Sequence, residues 1–297
     1  MTLRLATRRS PLALVQANIV QQRLADHGIE SELVLVDTRG DRDLKTDLAT
    51  LGGQGVFAVE IQRTLLNGEA DVAVHSAKDL PSVTPDGLSF ASVPERLDPS
   101  DVLVGRSLAG LGPGATVATG SPRRRALLLE RRPDLQVVPL RGNMATRVAK
   151  AGSDGIDAII AAMAALQRLD EMDIVSERLD PAWFVPQVGQ GALALEARSD
   201  DVTTRASLAV INDPVALLAV TAERAFLEEL GAGCSIPAGA HGVVEGETLT
   251  LRGVMLDLDG TTSVRAEFAG TDPRDLGQRL AKHLRDDLGG GAFMASL

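Results

Sequence analysis

Residues 116–133, TVATGSPRRRALLLERRP, join a short apolar strand to a helix through a tight turn. Ser121 is placed to cap that helix and Pro122 to be its first residue, since serine is a preferred cap and proline fits the first helical position. Residues 3–28, LRLATRRSPLALVQANIVQQRLADHG, repeat the arrangement with another Ser-Pro pair. Two copies of strand, turn and helix predict two α/β lobes of similar plan.

Three more segments continue the pattern of strand followed by loop or helix. They are ADVAVHSAKDLP, with a buried strand over 70–75, LQVVPLRGNMATRVAKA, with Asn143 as a helix cap, and GIDAIIAAMAALQRL. Alternation of this kind indicates parallel βαβ units. Ligands of such sheets bind at the carboxyl ends of the strands, where helix N-termini point.

The pattern changes after VGQGALALEARSD, which we interpret as a strand returning to the first lobe. A long amphipathic helix begins near Pro214, alternating residues flank the turn signal Asp259-Gly260 as a hairpin, and a helix closes the chain. The predicted fold is therefore two α/β lobes, like those of periplasmic binding proteins, with a smaller α+β third domain. The predicted domains are 1–94 plus 191–212, 95–190, and 213–297.

Composition limits the class of protein. The chain has 297 residues, 44% of them hydrophobic and 24% charged, which is typical of a globular protein of two or three domains. Its single cysteine, Cys234, excludes disulfides within the chain and fits a reducing compartment. The start lacks the apolar segment of a signal peptide, and no apolar run is long enough to span a bilayer. We expect a cytoplasmic protein with no membrane association.

Charge is distributed unevenly along the chain. The net charge is −10, yet residues 1–170 carry 20 basic and 20 acidic side chains, so all the excess acid lies in 171–297. Residues 121–150 hold eight basic side chains against two acidic ones. Because exposed charges are screened beyond roughly 8 Å at physiological ionic strength, a basic cleft is compatible with an acidic protein.

Most of the arginines stand at junctions between strands and helices. A single arginine of this kind is most simply a solvent-exposed side chain at the end of a helix. If one cleft brings these arginines together, however, they would form a receptor for anions. A single anion does not need so many partners, whereas a ligand with several anionic groups does. The arginines concerned are Arg8 and Arg9 just before a helix start, Arg123 and Arg124 just inside one, Arg141 at a strand end, Arg147 one turn into the following helix and Arg168 near the end of AAMAALQRL.

Asp79, in HSAKDLP, is the best candidate for acid–base chemistry, although a turn aspartate or a helix cap would have the same pattern. Cationic neighbours would keep it ionised, and a fixed carboxylate can stabilise a developing cation. The segment 38–57 fits a mobile lid and a plain surface loop equally well. Scattered histidines and one cysteine predict no metal site. Aromatic residues at 2% disfavour binding to nucleic acid.

Eight collinear motifs resemble the porphobilinogen deaminase (hydroxymethylbilane synthase) family over nearly the whole chain. They are RLATRRSPLAL, DTRGD, GGQGVF, VHSAKDLP, SPRRR, RGNMATR, VGQGA and GAGCSIP. The resemblance implies an enzyme of porphyrin biosynthesis with a dipyrromethane cofactor, bound by a thioether to Cys234. Four porphobilinogen molecules would be deaminated and joined head to tail on this primer. Water would then release hydroxymethylbilane from a monomeric enzyme, to be passed to uroporphyrinogen III synthase.

The resemblance also implies roles for individual residues. Asp79 would be the catalytic carboxylate, and Phe57 would be the lid residue over the pyrroles. The residues that would bind the cofactor, besides Asp79 and Cys234, are Lys78, Ser121, Arg123 and Arg124. The ligands of substrate and growing chain would be Arg8, Ser10, Gln16, Arg141, Arg147 and Arg168.

Two motifs depart from the usual pattern of the family. The lid commonly reads GGKG, and here Gln54 replaces the lysine; GSPRR stands where an SSLRR-like run is common. The first change removes a charge from the lid, and the second puts an additional hydroxyl contact in doubt. The competing hypothesis is a non-catalytic, two-lobed solute-binding protein for a small carboxylate, which has no use for Cys234. A phosphate or nucleic-acid binder is a third possibility.

Overall fold

Residues 2–38, 58–231 and 236–294 are described by the structure, a computed structural model. These residues form three β-sheets, two of five strands and one of three. The strands are β1 Leu3–Arg8, β2 Ser31–Val36, β3 Val72–Ser76, β4 Leu88–Ser92, β5 Asp101–Val104, β6 Thr116–Ala118, β7 Gln136–Val138, β8 Ala158–Ala162, β9 Val175–Arg178, β10 Leu193–Arg198, β11 Ala238–Glu245, β12 Thr248–Leu256 and β13 Ser263–Gly270.

Helices connect and cover these sheets. They are α1 Pro11–Ala25, α2 Val59–Leu66, α3 Pro122–Arg131, α4 Met144–Val148, α5 Met163–Leu169, α6 Val202–Ala209, α7 Pro214–Leu230, α8 Pro273–Lys282 and α9 Gly291–Met294. A single turn of 3₁₀-helix, Ala77–Asp79, follows β3.

The first two sheets share one topology. Their strand orders are β2-β1-β3-β10-β4 and β7-β6-β8-β5-β9, and in each the first three strands are parallel. The fourth strand of each order, β10 or β5, is antiparallel to its neighbours. We call the units built on these sheets the first and second lobes. The prediction of two similar lobes is confirmed.

The predicted parallel pairing is confirmed for the first three strands of each order, and β10 is the predicted strand that returns to the first lobe; the alternation made no prediction for the direction of β10 or β5. Each of these strands enters its sheet directly from the other lobe, through the connections 93–100 and 179–192. A strand that arrives from the opposite lobe, rather than through a helix packed on its own sheet, does not have to run parallel to its neighbours. We call these two connections the crossing segments.

Both Ser-Pro pairs start their helices as predicted. The Ser10 side chain accepts a hydrogen bond from the backbone N–H of Ala13 at 3.3 Å, with Pro11 in the first turn of α1. Ser121 accepts one from the N–H of Arg124 at 3.4 Å at the start of α3. Each cap satisfies one of the free N–H groups of a helix terminus. The helix starts therefore lie at the carboxyl ends of β1 and β6.

The third sheet is an antiparallel meander in the order β11-β12-β13. The predicted hairpin is β12 and β13, paired from Leu249 with Gly270 to Leu256 with Ser263, and β11 adds a strand to it. α7 and α8 pack on one face, where Phe226 and Leu280 lie in a shared core. This confirms the predicted α+β character of the third unit, while the exact domain boundaries stay predictions.

A buried carboxylate joins the third sheet to the crossing segments. Glu223 of α7 is fully buried and forms an ion pair of 2.7 Å with Arg96 in the first crossing segment. Its carboxylate also accepts backbone N–H groups from Gly189 at 2.7 Å and Gly242 at 2.9 Å. Arg96 donates in turn to the carbonyl of Gln190 at 2.9 Å. One side chain of α7 therefore connects both crossing segments to β11.

No single helix among the described residues is long and apolar enough to cross a membrane. α6 and α7 pass that test of length and composition only when taken together, and they are bent by 117° at their junction.

Candidate active site

A cleft lies between the two lobes at the carboxyl ends of their parallel strands. Its empty volume is about 440 Å³, including the space at its open mouth. The first lobe contributes the end of β1, the start of α1 and the end of β3, and the second lobe contributes α5. The residues predicted from sequence that line it are Arg8, Ser10, Gln16, Lys78, Asp79 and Arg168.

Asp79 ends the 3₁₀ turn that follows β3, and its side chain is half-buried in the cleft wall. The turn is packed against Gly189, whose φ is +73°. A Cβ at that glycine would lie 2.9 Å from the backbone carbon of Ala77 and 3.0 Å from the backbone nitrogen of Lys78. Only glycine permits this approach. The second crossing segment therefore supports the turn that presents Asp79.

Lys78 lies at the boundary between the lobes. Its ammonium group donates a hydrogen bond of 3.3 Å to the side-chain oxygen of Gln190. Burial and the positive charge of Arg124 lower the pKa of Lys78 to about 8, although the negative charges of Asp79 and Asp101 oppose the shift. Lys78 is thus a cation whose charge is lost within the range of mildly basic pH.

Arg123 and Arg124, in the first turn of α3, are held by a buried carboxylate of β5. Asp101 is 2.7 Å from a terminal nitrogen of each guanidinium, and Nε of Arg124 also donates to it at 2.9 Å. Burial alone would raise the pKa of Asp101, but the two arginines outweigh it and lower that pKa to about 2. The carboxylate therefore stays ionised and fixes both arginines, as charged hydrogen bonds do.

Arg123 keeps one unused hydrogen-bond donor at the contact between the second lobe and the third sheet. Its two terminal nitrogens donate to Asp101 and to the carbonyl of Val185, at 2.7 and 2.6 Å. Its Nε is buried without a partner among the described residues. A Cβ at Gly239 of β11 would lie 3.1 Å from Cδ of Arg123. The unused Nε–H of Arg123 thus lies beside β11, the strand that begins at Ala238, shortly after Cys234.

Gln190, in the second crossing segment, is fully buried and connects the two lobes. Its side-chain N–H groups donate to Asp101 at 2.8 Å and to the carbonyl of Pro99 at 2.7 Å. Its side-chain oxygen accepts from Lys78 in the first lobe and, at 3.4 Å, from Arg124 in the second. The amide has a partner for each of its donors and fixes the distance between these cations.

Two more arginines of the second lobe have pKa values that burial lowers. Burial and the charge of Arg124 lower the pKa of Arg147, while Asp79 acts in the opposite direction. Arg168 donates to the carbonyl of Gly191 at 2.8 Å, and its Nε is buried without a hydrogen-bond partner in the described part of the chain. Burial lowers the pKa of Arg168 to about 10. A buried donor and a depressed pKa in a cleft wall fit a guanidinium that binds an anionic ligand.

Other predicted residues occupy the rim or lie outside the described residues. Arg141 is exposed immediately before α4, which Asn143 caps by accepting the N–H of Thr146 at 2.9 Å. Arg9 is exposed and pairs with Asp37 at 2.7 Å, so it is not part of the cleft wall. Phe57, Cys234 and all but the first residue of the predicted lid 38–57 lie outside the described residues.

Sequence reasoning missed Asp101 and Gln190, the two residues that fix the arginines. Asp101 opens a strand, DVLV, whose four residues are all buried, and an acid in such a position requires a positive partner. The sequence thus contained a signal for Asp101, a buried acid on the N-terminal side of the arginine-rich segment that could supply its positive partners. Gln190 lies in the motif VGQGA, which carried the family resemblance but no assigned role. No cluster of three or more metal-ligand side chains occurs within 2–38, 58–231 and 236–294.

Comparison with known proteins decides the family. Residues 3–206 match the family model for the dipyromethane cofactor binding domain of porphobilinogen deaminase, and residues 217–286 match its C-terminal domain. The porphobilinogen deaminase of Geobacter sulfurreducens is 44% identical over 301 residues, covering 99% of this chain and 94% of that protein. That of Acidothermus cellulolyticus is 46% identical, covering 95% and 88%. The chain belongs to the porphobilinogen deaminase family.

Membership of the porphobilinogen deaminase family makes this chain a transferase of porphyrin biosynthesis, a hydroxymethylbilane synthase. Its first two lobes contain the family's binding domain for the dipyrromethane cofactor. The alternatives of a solute-binding protein and of a nucleic-acid binder are thereby set aside. Among solved structures, the methionine-binding protein MetQ has a TM-score of 0.44 at 13% identity, covering 73% of this chain and 92% of that one.

Proposed function

We propose that Cys234 carries the dipyrromethane cofactor through a thioether bond to its Sγ. Cys234 is the only cysteine of the chain, and the flanking residues Leu230 and Ile236 are buried in the core of the third unit. Val188 of the second crossing segment belongs to the same core. The described chain on either side of the cysteine is thus anchored beside a segment that borders the cleft.

The side chains of the cleft fit such a group. A dipyrromethane built from porphobilinogen units carries acetate and propionate groups, and these need fixed cations or N–H donors. Arg123 has a buried Nε without a partner in the described chain, next to β11. We propose that Arg123, Arg124, Lys78 and Ser121 hold the carboxylates of the cofactor. Asp101 would restrain both arginines so that little side-chain entropy is lost on binding.

The bound dipyrromethane would supply the nucleophilic pyrrole carbon to which the first porphobilinogen is joined. The protein's own part begins with Asp79, whose carboxylate is placed to accept pyrrole N–H groups in the cleft. When porphobilinogen loses ammonia it becomes a cationic azafulvenium. A fixed carboxylate stabilises that cation more than it stabilises the neutral ring, and this difference accelerates the step.

The remaining cations would bind the substrate and the growing chain. Each porphobilinogen adds two carboxylates, so a chain of several rings requires a set of cations rather than one site. We propose that this set includes Arg8 and Arg168 on opposite walls of the cleft, with Ser10 and Gln16 as hydrogen-bonding neighbours. Arg141 and Arg147 would extend the set toward the rim. Phe57 would pack over the pyrroles as a lid residue.

The observation that carries this proposal is the placement of Asp79 in one cleft with cations from both lobes. We also propose that four condensations precede the hydrolytic release of hydroxymethylbilane. The chain would work as a cytoplasmic monomer and pass its product to uroporphyrinogen III synthase. Its use of a single cysteine supports a reducing compartment.

Intact-protein mass spectrometry tests the proposed attachment. Purified wild-type protein is expected to carry one covalent adduct of the mass of a dipyrromethane. Cys234→Ala should remove the adduct, because no other thiol is present in the chain. Asp79→Asn is the matched control, since it changes the cleft but leaves the sulfur in place, and it should keep the adduct. A wild-type protein that is unmodified and fully active would refute the thioether proposal.

A further inference from the structure

A second, smaller cavity lies inside the first lobe and adjoins the cleft. The space in it that the centre of a water-sized sphere can reach is about 30 Å³, compared with about 70 Å³ by the same measure in the cleft. A water molecule needs at least about 10 to 15 Å³ of such space, whereas benzene occupies an engineered cavity of about 150 Å³. The cavity therefore has room for one or two molecules of the size of water, and it is the smaller of the two spaces. Its lining comprises Arg8, Ala13, Gln16, Ala58, Ile61, Val74, His75, Ser76 and Asp79.

The cavity contains a buried histidine that the proposed mechanism does not use. His75 is 5% exposed, and its Nε2 lies 3.1 Å from a carboxylate oxygen of the fully buried Glu196. That approach is not aligned as a hydrogen bond, and Nε2 has no hydrogen-bond partner in the described part of the chain. A buried polar atom without a partner is rare and indicates an additional ligand or a chemical role.

Glu196 is held as an anion behind this histidine. The side-chain amide of Gln62 donates to both of its oxygens, at 3.2 and 2.9 Å. Burial alone would raise the pKa of Glu196, but the contact with His75 and the amide of Gln62 outweigh it and lower that pKa. The two side chains thus form a polarised pair, a carboxylate behind an imidazole, at the wall of a water-sized cavity.

Asp79 connects this cavity to the reaction, because it lines both the cleft and the second cavity. The aminomethyl group of porphobilinogen is attached to the ring carbon next to the pyrrole nitrogen. If Asp79 accepts the pyrrole N–H, as proposed above, the amine nitrogen lies only a few bonds from that carboxylate. Ammonia matches water in size, and its N–H groups and lone pair match the donors and acceptors of the cavity.

We propose that the second cavity is the subsite for the ammonia that leaves each porphobilinogen, with His75 as the polar partner in its lining and Glu196 behind that imidazole. The inference rests on the proposed placement of Asp79. In the step, the bond between the methylene carbon and the ammonium nitrogen breaks, and its electron pair leaves with the nitrogen as NH₃. The positive charge stays on the pyrrole. The ammonia becomes NH₄⁺ with the proton lost by the ring carbon that forms the new carbon–carbon bond.

Nitrogen-15 exchange tests this subsite separately from turnover. Holoenzyme turning over porphobilinogen is mixed with ¹⁵N-ammonium chloride, and the label entering unreacted porphobilinogen is measured by mass spectrometry. The readout is the ratio of exchange to turnover. The wild type should incorporate label above the uncatalysed background, because ammonia in the subsite can return to the azafulvenium before condensation.

Two variants should lower that ratio at least ten-fold. Ala58→Val places two methyl groups at a position that lines the second cavity but not the cleft. His75→Phe keeps a ring of similar size and removes both nitrogens. Ala17→Val is the matched control, because Ala17 is equally buried in the first lobe and lines neither cavity. It should keep the wild-type ratio.

The outcomes separate this inference from the function itself. The ammonia subsite would be overturned by an unchanged ratio of exchange to turnover in either folded cavity variant. It would also be overturned by a wild type that shows no exchange above background. Formation of hydroxymethylbilane in the same experiments would leave the proposed deaminase function in place. A wild type that forms no hydroxymethylbilane would instead refute the function. Circular dichroism establishes which variants are folded, and either one alone is sufficient for the comparison with Ala17→Val.

Discussion

The two lobes start from the same strand, Ser-Pro turn and helix, yet they place their charges differently. In the second lobe the arginines follow the proline, enter the first turn of α3 and are buried against Asp101. In the first lobe the arginines precede the serine, so Arg8 lines the cleft and Arg9 is exposed. A shift of a few positions about one turn thus separates two cations that are buried against Asp101 from a cation that lines the cleft.

The counter-charges differ in the same way. Asp101 stands against two permanent cations, whereas the fully buried carboxylate of the first lobe, Glu196, stands beside a histidine. Arginine keeps its charge throughout the physiological range. The second lobe therefore fixes two permanent cations on one carboxylate, whereas the buried carboxylate of the first lobe is held by an imidazole and by the amide of Gln62.

Removing the second lobe's counter-charge is expected to have the largest effect. Asp101→Asn leaves two buried guanidinium groups without a full negative partner, and breaking a buried ion pair in this way costs about 3 to 5 kcal/mol. Chemical denaturation measures the loss in the free energy of unfolding. Asp134→Asn is the control, because its pair with Arg132 is near the surface, where solvent screens the charges, and its loss should have little effect on stability. Equal losses in the two variants would contradict the comparison.

Asp79→Asn should affect activity rather than stability. Loss of the fixed carboxylate removes stabilisation of the cationic intermediate, and turnover should fall about 100- to 1,000-fold, as when one electrostatic stabiliser is removed. The free energy of unfolding should change by about 0.5 kcal/mol or less. Asp86→Asn, an exposed change in the same lobe, should keep full turnover. Wild-type rates in Asp79→Asn would show that the first lobe does not contribute this charge.

Arg168→Leu should distinguish ligand-binding arginines from structural ones within the second lobe. Arg168 has no carboxylate partner among the described residues, and burial already lowers its pKa to about 10. Losing a charged hydrogen bond to substrate of about 1.5 to 3 kcal/mol should raise KM roughly 10- to 100-fold. The free energy of unfolding should change by no more than about 1.5 kcal/mol, because the lost hydrogen bond to the carbonyl of Gly191 is offset by the removal of a buried charge. Arg106→Leu, at a largely exposed pair with Asp157, should leave KM unchanged. A marked loss of stability in Arg168→Leu would show that Arg168 is a structural arginine, like Arg123 and Arg124, rather than a ligand of the substrate.

The smallest expected effect is a pH dependence set by Lys78. With its pKa lowered to about 8, Lys78 loses its charge as pH rises through that value, and kcat/KM should fall a few-fold between pH 8 and 9. The shift has the opposite sign for stability: a lysine with a lowered pKa in the fold favours folding more as pH rises from about 8 toward its ordinary pKa of about 10.4. Lys78→Arg should remove the step in kcat/KM, because arginine stays protonated. If kcat/KM of Lys78→Arg still falls between pH 8 and 9, the pH dependence belongs to a group other than Lys78.

Local features of the fold could be predicted because their causes are local. The caps Ser10, Ser121 and Asn143 act within three residues, and apolar strands followed by helices identified the carboxyl ends at which Asp79 and Arg168 meet. The third domain's hairpin followed from alternation about a turn signal. Each of these signals lies within one segment of the sequence.

The remainder depends on contacts between distant residues, which one sequence does not encode in any short pattern. Asp101 reaches arginines that are 22 and 23 residues away, and Lys78 meets Gln190 across 112 residues. The antiparallel direction of β5 and β10 follows from where the chain crosses between lobes, not from their composition. The roles of Asp101 and Gln190 therefore required the structure.

The attachment of α7 has a mechanical consequence. Glu223 bonds to Arg96 in one crossing segment and to Gly189 in the other, at the place where the lobes are joined. When two bodies rotate about a joint, points on the joint move least. If one lobe rotates against the other about the crossing segments, α7 should therefore move least, because Glu223 attaches it to both of them. The end of α7, four residues before Cys234, would then keep its reach to both walls while the space between them widens to admit each additional ring.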